Sequence, residues 1–192
     1  MHNPESDLPM KLLILADMDD FHWKQAGGNA DAILSCGDTY DQLILEAAQA
    51  YSCSRIFAVK GNHDANTPFP APIMDLHLHV CEHGGLRFGG MHGSYRYKPA
   101  GHFIYSQEKM QELFLAFPAV DVFLSHNSPR GIHERDNSAH QGFDGLLGYM
   151  QKTKPALVIH GHQHTNQETV VNGTRIISVH GYRLIEFNQE TL

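Results

Sequence analysis

Five short apolar runs, each ending in polar residues that suit metal binding, constrain this chain more than any other feature. The residues that follow these runs are Asp17, Asp38, Asn62, His126, and the pair His162 and His164. Continuous apolar runs of this length are typical of strands buried on both faces. Because the carboxyl ends of parallel strands meet along one edge of a sheet, we expect these side chains to converge although they lie far apart in sequence.

The order of elements predicts an α/β fold with both parallel and antiparallel strands. Strand, link, strand, helix and strand follow one another up to Val59, and the helix is expected from about Tyr40 to Tyr51. The alternation from Asp75 to Val80 predicts a half-exposed antiparallel strand that turns His77 and His79 towards solvent. Asn172-Gly173 predicts a hairpin.

Composition narrows the function classes. A chain of 192 residues that is 42% hydrophobic can bury one core, so we predict a flexible tail over 1–9 and one domain over 10–192. The net charge of −7 argues against a nucleic-acid partner bound by phosphate neutralisation, but it leaves small phosphorylated substrates open.

Cysteine content and hydropathy bear on the cell compartment. The three cysteines form no CxxC pair, so a disulfide framework or a thiolate zinc site is not expected. Neither a signal peptide nor a membrane-spanning run is recognisable. Together these features predict a cytoplasmic protein with reduced thiols and no membrane partner.

The chemistry of the strand-end residues favours a divalent ion. Carboxylate, carboxamide and imidazole without thiolate suit Mn²⁺, Fe²⁺ or Zn²⁺. Six candidate ligands exceed what one catalytic ion needs, and two ions ~3.5–4 Å apart serve in-line displacement at phosphorus. Singly, each residue could be a cap, a turn residue or a buried histidine. Their recurrence at strand ends favours a metal site.

Four motifs in this order resemble those of the calcineurin-like metallophosphoesterases. They are Gly37-Asp38, Gly61-Asn62-His63-Asp64, Ser125-His126 and Gly161-His162-Gln163-His164. Further stretches resemble a bacterial-type subgroup of small enzymes, namely Gly93 to Tyr97, Ser128 to His133 and Ala139 to Phe143. The resemblance implies a four-layer α/β/β/α sandwich of two mixed β-sheets flanked by helices.

The resemblance also implies a dinuclear centre that holds Mn²⁺ for preference and Fe²⁺ or Zn²⁺ as alternatives. Asp17 and His164 would bind the first ion, Asp38 would bridge, and the second ion would be bound by Asn62, His126 and His162. A hydroxide held between the ions would attack phosphorus.

The residues around the ions carry further implied roles. His63 would stabilise developing charge or protonate the leaving oxygen, and Asp64 would orient the His63 ring. Asn62 would also contact the substrate phosphate. Arg96 is a candidate phosphate contact because a guanidinium group can engage two oxygens, and a surface arginine on a mobile loop is the equally weighted alternative. His140 would either reach the substrate or fix the tautomer of a ligand.

The first motif departs from the family pattern Asp-x-His. Asp19 stands where the histidine is expected, Asp20 is a rival ligand, and His22 is a third candidate. A carboxylate in place of an imidazole would tilt the first site towards Mn²⁺ or Fe²⁺. Whether Asp19, Asp20 or neither completes this site stays open at the level of sequence.

The expected function is therefore a metal-dependent phosphoesterase, a phosphatase or phosphodiesterase, acting on a small phosphorylated substrate. The alternative is a catalytically weak or inactive binding or scaffold protein with the same fold, which the altered first motif favours. A protein Ser/Thr phosphatase is disfavoured because the short chain has no evident substrate-docking insert. Natural substrate, ester class, ion identity and oligomeric state stay open.

Overall fold

The computed structural model describes residues 9–188, so the tail predicted over 1–9 lies outside the described residues except for Pro9. In chain order the elements are β1 (Met10–Ala16), β2 (Ala32–Ser35), α1 (Asp41–Ala50), β3 (Ile56–Ala58), β4 (Met74–Asp75), β5 (Val80–His83), β6 (Leu86–Met91), β7 (Ser94–Tyr95), β8 (Ile104–Tyr105), α2 (Gln107–Ala116), β9 (Val122–Ser125), α3 (Asp144–Thr153), β10 (Leu157–His160), β11 (Gln167–Val171), β12 (Thr174–Ser178) and β13 (Gly181–Phe187).

Two large mixed sheets carry the fold. The first has the strand order β13-β1-β2-β3-β4 and the second β11-β12-β10-β9-β6-β5, while β7 and β8 form a small pair. Within the first sheet β1 to β4 run parallel and β13 is antiparallel to β1. Within the second, β12, β10, β9 and β6 run parallel, and β11 and β5 are antiparallel edge strands. The parallel strands of each sheet therefore direct their carboxyl ends to one edge.

Three apolar clusters build the layers. The inner faces of the two sheets pack on each other through residues such as Leu12, Leu34, Phe88 and Leu124. The outer face of the first sheet packs on α1, and α2 and α3 cover the outer face of the second. The predicted four-layer α/β/β/α sandwich is confirmed.

Local signals in the sequence account for several element ends. The α1 helix occupies Asp41–Ala50, close to the predicted span. The Ser106 side chain accepts a hydrogen bond from the Lys109 N–H at 3.3 Å and so caps α2. β11 and β12 pair antiparallel around Asn172-Gly173, which confirms the predicted hairpin.

The prediction for the stretch from Asp75 to Val80 was wrong in part. The strand stops at Asp75, and β5 begins only at Val80. His77 is half-buried, and its ring stacks on that of His92, with centroids 4.1 Å apart and planes 7° apart. His77 Nδ1 accepts a hydrogen bond from the His92 N–H at 3.0 Å. Polar contacts of this kind are not visible in an alternating pattern, which reports only burial.

No helix among residues 9–188 combines the length and the apolar character that crossing a membrane requires.

Candidate metal centre

The ends of parallel strands from both sheets meet at one point of the structure. Asp17 follows β1, Asp38 and Asn62 lie beyond β2 and β3, and His126 and His162 lie beyond β9 and β10. The Asp17 N–H donates to the Gly37 carbonyl at 3.1 Å, which joins the loops within the first sheet. The His162 N–H donates to Asp17 Oδ2 at 2.7 Å, which joins the two sheets. The predicted convergence of strand ends is therefore seen.

One half of this centre, which we call the buried half, consists of Asp38, Asn62, His126 and His162. His126 is fully buried, and its Nε2 lies 3.3 Å from Asp38 Oδ2 and 3.1 Å from Asn62 Oδ1. Donor atoms of Asp17, Asp38 and His126 all lie within 4.8 Å of one another. A single ion could be contacted by several of these atoms after small movements.

A backbone contact orients the ring of His126. Its Nδ1 lies 2.8 Å from the Cys36 carbonyl oxygen, which can only accept, so Nδ1 carries the proton and donates. Nε2 is thereby directed at Asp38 and Asn62. Burial alone would lower the pKa of His126, but the Asp38 carboxylate outweighs it and raises this pKa above its usual range. Burial would likewise raise the pKa of Asp38, but His126 outweighs it and holds this pKa well below the usual range.

Two glycines leave room for this arrangement. A Cβ on Gly61 would lie 2.1 Å from Asp38 Oδ1 and 2.7 Å from His126 Cε1. A Cβ on Gly37 would lie 2.4 Å from the Gly61 nitrogen and 2.8 Å from His126 Nδ1. The glycines of two predicted motifs therefore let the backbone approach the ligand side chains closely.

The other half, which we call the open half, consists of Asp17 and His164, and Asp19 lies beside it on the cavity wall. Asp17 is buried, whereas His164 keeps about 49% of its side chain exposed and Asp19 is exposed. The Oδ1 atom of Asp17 is buried and has no hydrogen-bond partner among residues 9–188, and it lies 3.6 Å from His164 Nε2. Burial raises the pKa of Asp17 to about 7, against the opposing charge of His126.

These features fit divalent ions. A buried carboxylate oxygen without a partner costs free energy that a cation would relieve. The donors are oxygen and imidazole nitrogen, which suit Mn²⁺, Fe²⁺ or Zn²⁺. Cys36 contributes its backbone carbonyl to the centre. Its free thiol points elsewhere, since Sγ contacts the Ile159 carbonyl.

Four of the candidate ligands lie in the left-handed backbone region. The φ angles are 52° at Asp17, 50° at Asp38, 65° at His162 and 50° at His164. Residues other than glycine rarely adopt this conformation, and it costs roughly 1 kcal/mol or more at each position. The backbone at the centre is therefore held in a less favourable conformation that brings the side chains together.

His63 and Asp64 differ from the arrangement predicted for them. The His63 side chain is exposed beside the centre, and the His63 N–H donates to Asp38 Oδ1 at 2.8 Å. Asp64 Oδ2 accepts hydrogen bonds from the N–H groups of Asp38 at 2.9 Å and Gly61 at 2.7 Å. Within residues 9–188 no hydrogen bond joins Asp64 to the His63 ring, so Asp64 holds the two ligand loops together and does not orient that ring.

Of the residues predicted to contact phosphate, His140 lies beside the candidate ligands, whereas Arg96 is exposed. The rings of His140 and His162 have centroids 5.0 Å apart, and those of His140 and His164 lie 5.8 Å apart, so His140 borders both halves. Arg96 is exposed and makes no side-chain hydrogen bond or ion pair within the described part of the chain. Its neighbour Tyr97, which the sequence did not single out, accepts a hydrogen bond from Asn62 Nδ2 at 3.3 Å. Among residues 9–188 no contact therefore ties the Arg96 side chain to the candidate ligands, and its phosphate contact stays a prediction.

The three candidates for the first motif also separate. Asp19 lines the cavity above the centre. Asp20 forms an ion pair with Lys24, and His22 Nδ1 lies 2.8 Å from Glu46 Oε1. Asp20 and His22 are thus paired with other side chains, Asp20 with Lys24 of the same loop and His22 with Glu46 of α1.

A cavity of about 450 Å³ opens over the open half. Its lining includes Asp17, Asp19, Asp38, His63, His164 and His180. His180 is not among the ligands predicted from the sequence, although it follows an apolar run as the other candidates do. The sequence predicted β12 only as half of a hairpin. It did not predict the parallel pairing of β12 with β10, which directs His180 to the edge where the other candidates lie.

Comparisons with known proteins bear on the whole arrangement. The profile of the calcineurin-like phosphoesterases matches residues 10–166. The comparison with curated proteins gives no match.

Solved structures give further matches. One is 14% identical with a TM-score of 0.66, covering 93% of this chain and 95% of that chain. TT1561 of Thermus thermophilus is 14% identical with a TM-score of 0.54, covering 88% of each chain. Vacuolar Protein Sorting 29 from Cryptosporidium parvum is 13% identical with a TM-score of 0.49, covering 90% of this chain and 74% of that chain. At such identities the first two likenesses show the fold alone.

Proposed function

The chain belongs to the calcineurin-like phosphoesterase family, and we propose that it hydrolyses phosphate esters at a centre for two divalent ions. The observation that carries the proposal is the approach of Asp17, Asp38 and His126, whose donor atoms lie within 4.8 Å of one another. These residues come from β1, β2 and β9, in two different sheets. Fold stability alone does not require three ionisable groups to meet at a sheet edge.

The two halves of the centre would hold one ion each. Asn62, His126 and His162 are the proposed ligands in the buried half, and Asp17 and His164 in the open half, with Asp38 shared. Mn²⁺ is the favoured ion, with Fe²⁺ or Zn²⁺ as alternatives. When bound, such a pair supplies a nucleophile at neutral pH and neutralises charge that develops on phosphoryl oxygens.

The chain's own groups would bind and orient the substrate. His63 stands exposed at the cavity while its N–H bonds Asp38, so its ring is free to donate a proton to the leaving oxygen. His140 borders both halves and can hydrogen-bond a phosphoryl oxygen through Nε2, because its Nδ1 contacts Asn137 Oδ1 at 2.7 Å. The Asn62 amide, whose Nδ2 donates to the Tyr97 hydroxyl, is a further candidate contact.

The substrate is proposed to be a small phosphomonoester or phosphodiester. The net charge of −7 gives the surface no field that would attract a polyanion, so a nucleic acid is not the proposed partner. A cavity of about 450 Å³ is in the range of small-molecule sites.

The direct test is hydrolysis of nitrophenyl phosphate monoesters and diesters by chelator-treated protein with and without Mn²⁺. We expect turnover only with the ion, and loss of most turnover in His63→Ala. His83→Ala is the matched control, because His83 lies at the β5–β6 turn, at the end of β6 opposite to the centre.

The competing function is a binding or scaffold role with little activity, which the altered first motif favours. It would be supported if the protein took up two ions yet hydrolysed none of the esters. Failure to take up any ion would contradict the dinuclear centre and, with it, the proposed hydrolysis.

A further inference from the structure

The open half has fewer ligands than the buried half. Asp17 and His164 are its two motif residues, and the family's Asp-x-His histidine is replaced by Asp19. Asp20 and His22 are engaged by Lys24 and Glu46. The first motif therefore supplies no imidazole to an ion in the open half, and an imidazole donor would have to come from another part of the chain.

His180 occupies a strand-end position equivalent to that of His162. β10 and β12 run parallel, and His160 is paired with Ser178. Two residues beyond this pair lie His162 on one strand and His180 on the other. The register of the sheet therefore brings His180 to the same edge as the candidate ligands.

The structure also fixes His180 next to His164. Their rings stack with centroids 5.2 Å apart and planes 18° apart. The Asn166 side chain brackets the His180 backbone, since Oδ1 accepts from the His180 N–H at 3.0 Å and Nδ2 donates to its carbonyl at 3.3 Å. Both rings line the cavity that contains Asp17 and Asp38. An exposed histidine held in this way is pre-organised rather than free to drift into solvent.

We propose that His180 is an imidazole ligand of the ion held by Asp17 and His164, in the role that the family gives to the histidine of its first motif. This inference rests on the proposed dinuclear centre. A neutral nitrogen donor completes the open half without adding negative charge beside Asp17 and Asp38. Asp19, which is exposed at the same cavity, is then a rim residue.

The test is calorimetric titration of chelator-treated protein with Mn²⁺. We expect two ions in the wild type, and in His180→Ala a loss of affinity of at least about tenfold for one ion with the other unchanged. His180→Gln should behave like His180→Ala. Asp19→Asn should stay within about twofold of the wild type, as should the control His83→Ala.

A spectroscopic readout separates ligation from a structural role. In protein with ¹⁵N-labelled histidine, the ring resonance assigned to His180 by its absence in His180→Ala should shift when Zn²⁺ is added. Ligation by His180 is overturned if His180→Ala binds both ions with wild-type affinity. A rise in KM with unchanged ion binding overturns it too, and would assign His180 to the substrate. A wild type that binds fewer than two ions would contradict the dinuclear centre itself.

Discussion

The two halves of the metal centre are built differently although they share Asp38. In the buried half each ligand atom has a neighbour that orients it, as the Cys36 carbonyl orients His126 and Tyr97 orients the Asn62 amide. In the open half Asp17 Oδ1 has no hydrogen-bond partner in the part of the chain that the structure describes, and His164 is about half exposed. The difference indicates that the buried half is pre-organised, whereas the open half would need a bound ion to order it.

The largest effect is expected where the halves meet. Asp38→Asn removes the one carboxylate that both halves share, so turnover of a nitrophenyl phosphate in Mn²⁺ should fall about 10³-fold, as when a group that stabilises developing charge is lost. Metal content should fall as well. Asp31→Asn is the matched control. Asp31 Oδ2 accepts a hydrogen bond from the Lys11 N–H at 2.7 Å, at the end of β1 opposite to the centre. Turnover within tenfold of the wild type would contradict the shared role of Asp38.

The packing of the buried half can be broken without changing a ligand. In Gly61→Ala the new methyl group would meet Asp38 Oδ1 and His126 Cε1, so we expect a loss of about 1–3 kcal/mol in unfolding free energy and weaker binding of one ion. Gly148→Ala in α3 is the control, because no atom of residues 9–188 lies within 4 Å of the added Cβ. That change should stabilise by about 0.5–1 kcal/mol. Denaturant unfolding measures the free energy of unfolding of both variants. A Gly61→Ala variant as stable as the wild type would contradict the close approach of Gly61 to Asp38 and His126.

The stacked pair His77 and His92, which lies next to the buried half, should make the free energy of unfolding depend on pH. His92 Nδ1 accepts from the N–H of Lys60, just before Gly61, and His77 stacks beneath His92. Burial, with help from the charge of His92, lowers the pKa of His77 to about 4, while Asp75 opposes and His79 adds to the lowering.

The sign of the pH effect follows from proton binding. Between about pH 6.5 and 4 an unfolded His77 binds a proton that the folded one does not, so unfolding free energy falls as pH falls through this window. His77→Asn keeps an acceptor for the His92 N–H but cannot titrate, and it should flatten this fall by about 1–2 kcal/mol after allowance for partial exposure. Denaturant unfolding at pH 7 and pH 4.5 measures the difference, and parallel pH profiles would be evidence against a neutral His77.

The smallest effect should come from Asp20. Because it is paired with Lys24 on an exposed loop, Asp20→Asn should change neither Mn²⁺ affinity nor turnover by more than about twofold. A loss of one bound ion in this variant would show that the loop rearranges and that Asp20 enters the open half.

The sequence predicted the buried half better than the open half for a physical reason. Motif residues such as Asn62 and His126 follow strands whose apolar runs are plain in sequence, and parallel pairing brings such ends together. The hydrogen bonds of Asp64 to the backbone of Asp38 and Gly61 depend on loop conformation, and the bond to Asp38 spans 26 residues, which no local pattern reports. His180 was missed because its importance follows from the partner of β12, and strand pairing is a long-range property.

Four candidate ligands have left-handed backbone conformations that lower the stability of the fold, namely Asp17, Asp38, His162 and His164. At these positions the residue that best suits the proposed function is not the one that best suits the backbone. Glycine or asparagine would relax the backbone at each of them, so a search for thermostable variants should recover such replacements even though they remove a ligand. Directed evolution of this protein for heat resistance would need a simultaneous screen for ion uptake. Without one, the most stable descendants would be those that had lost the centre.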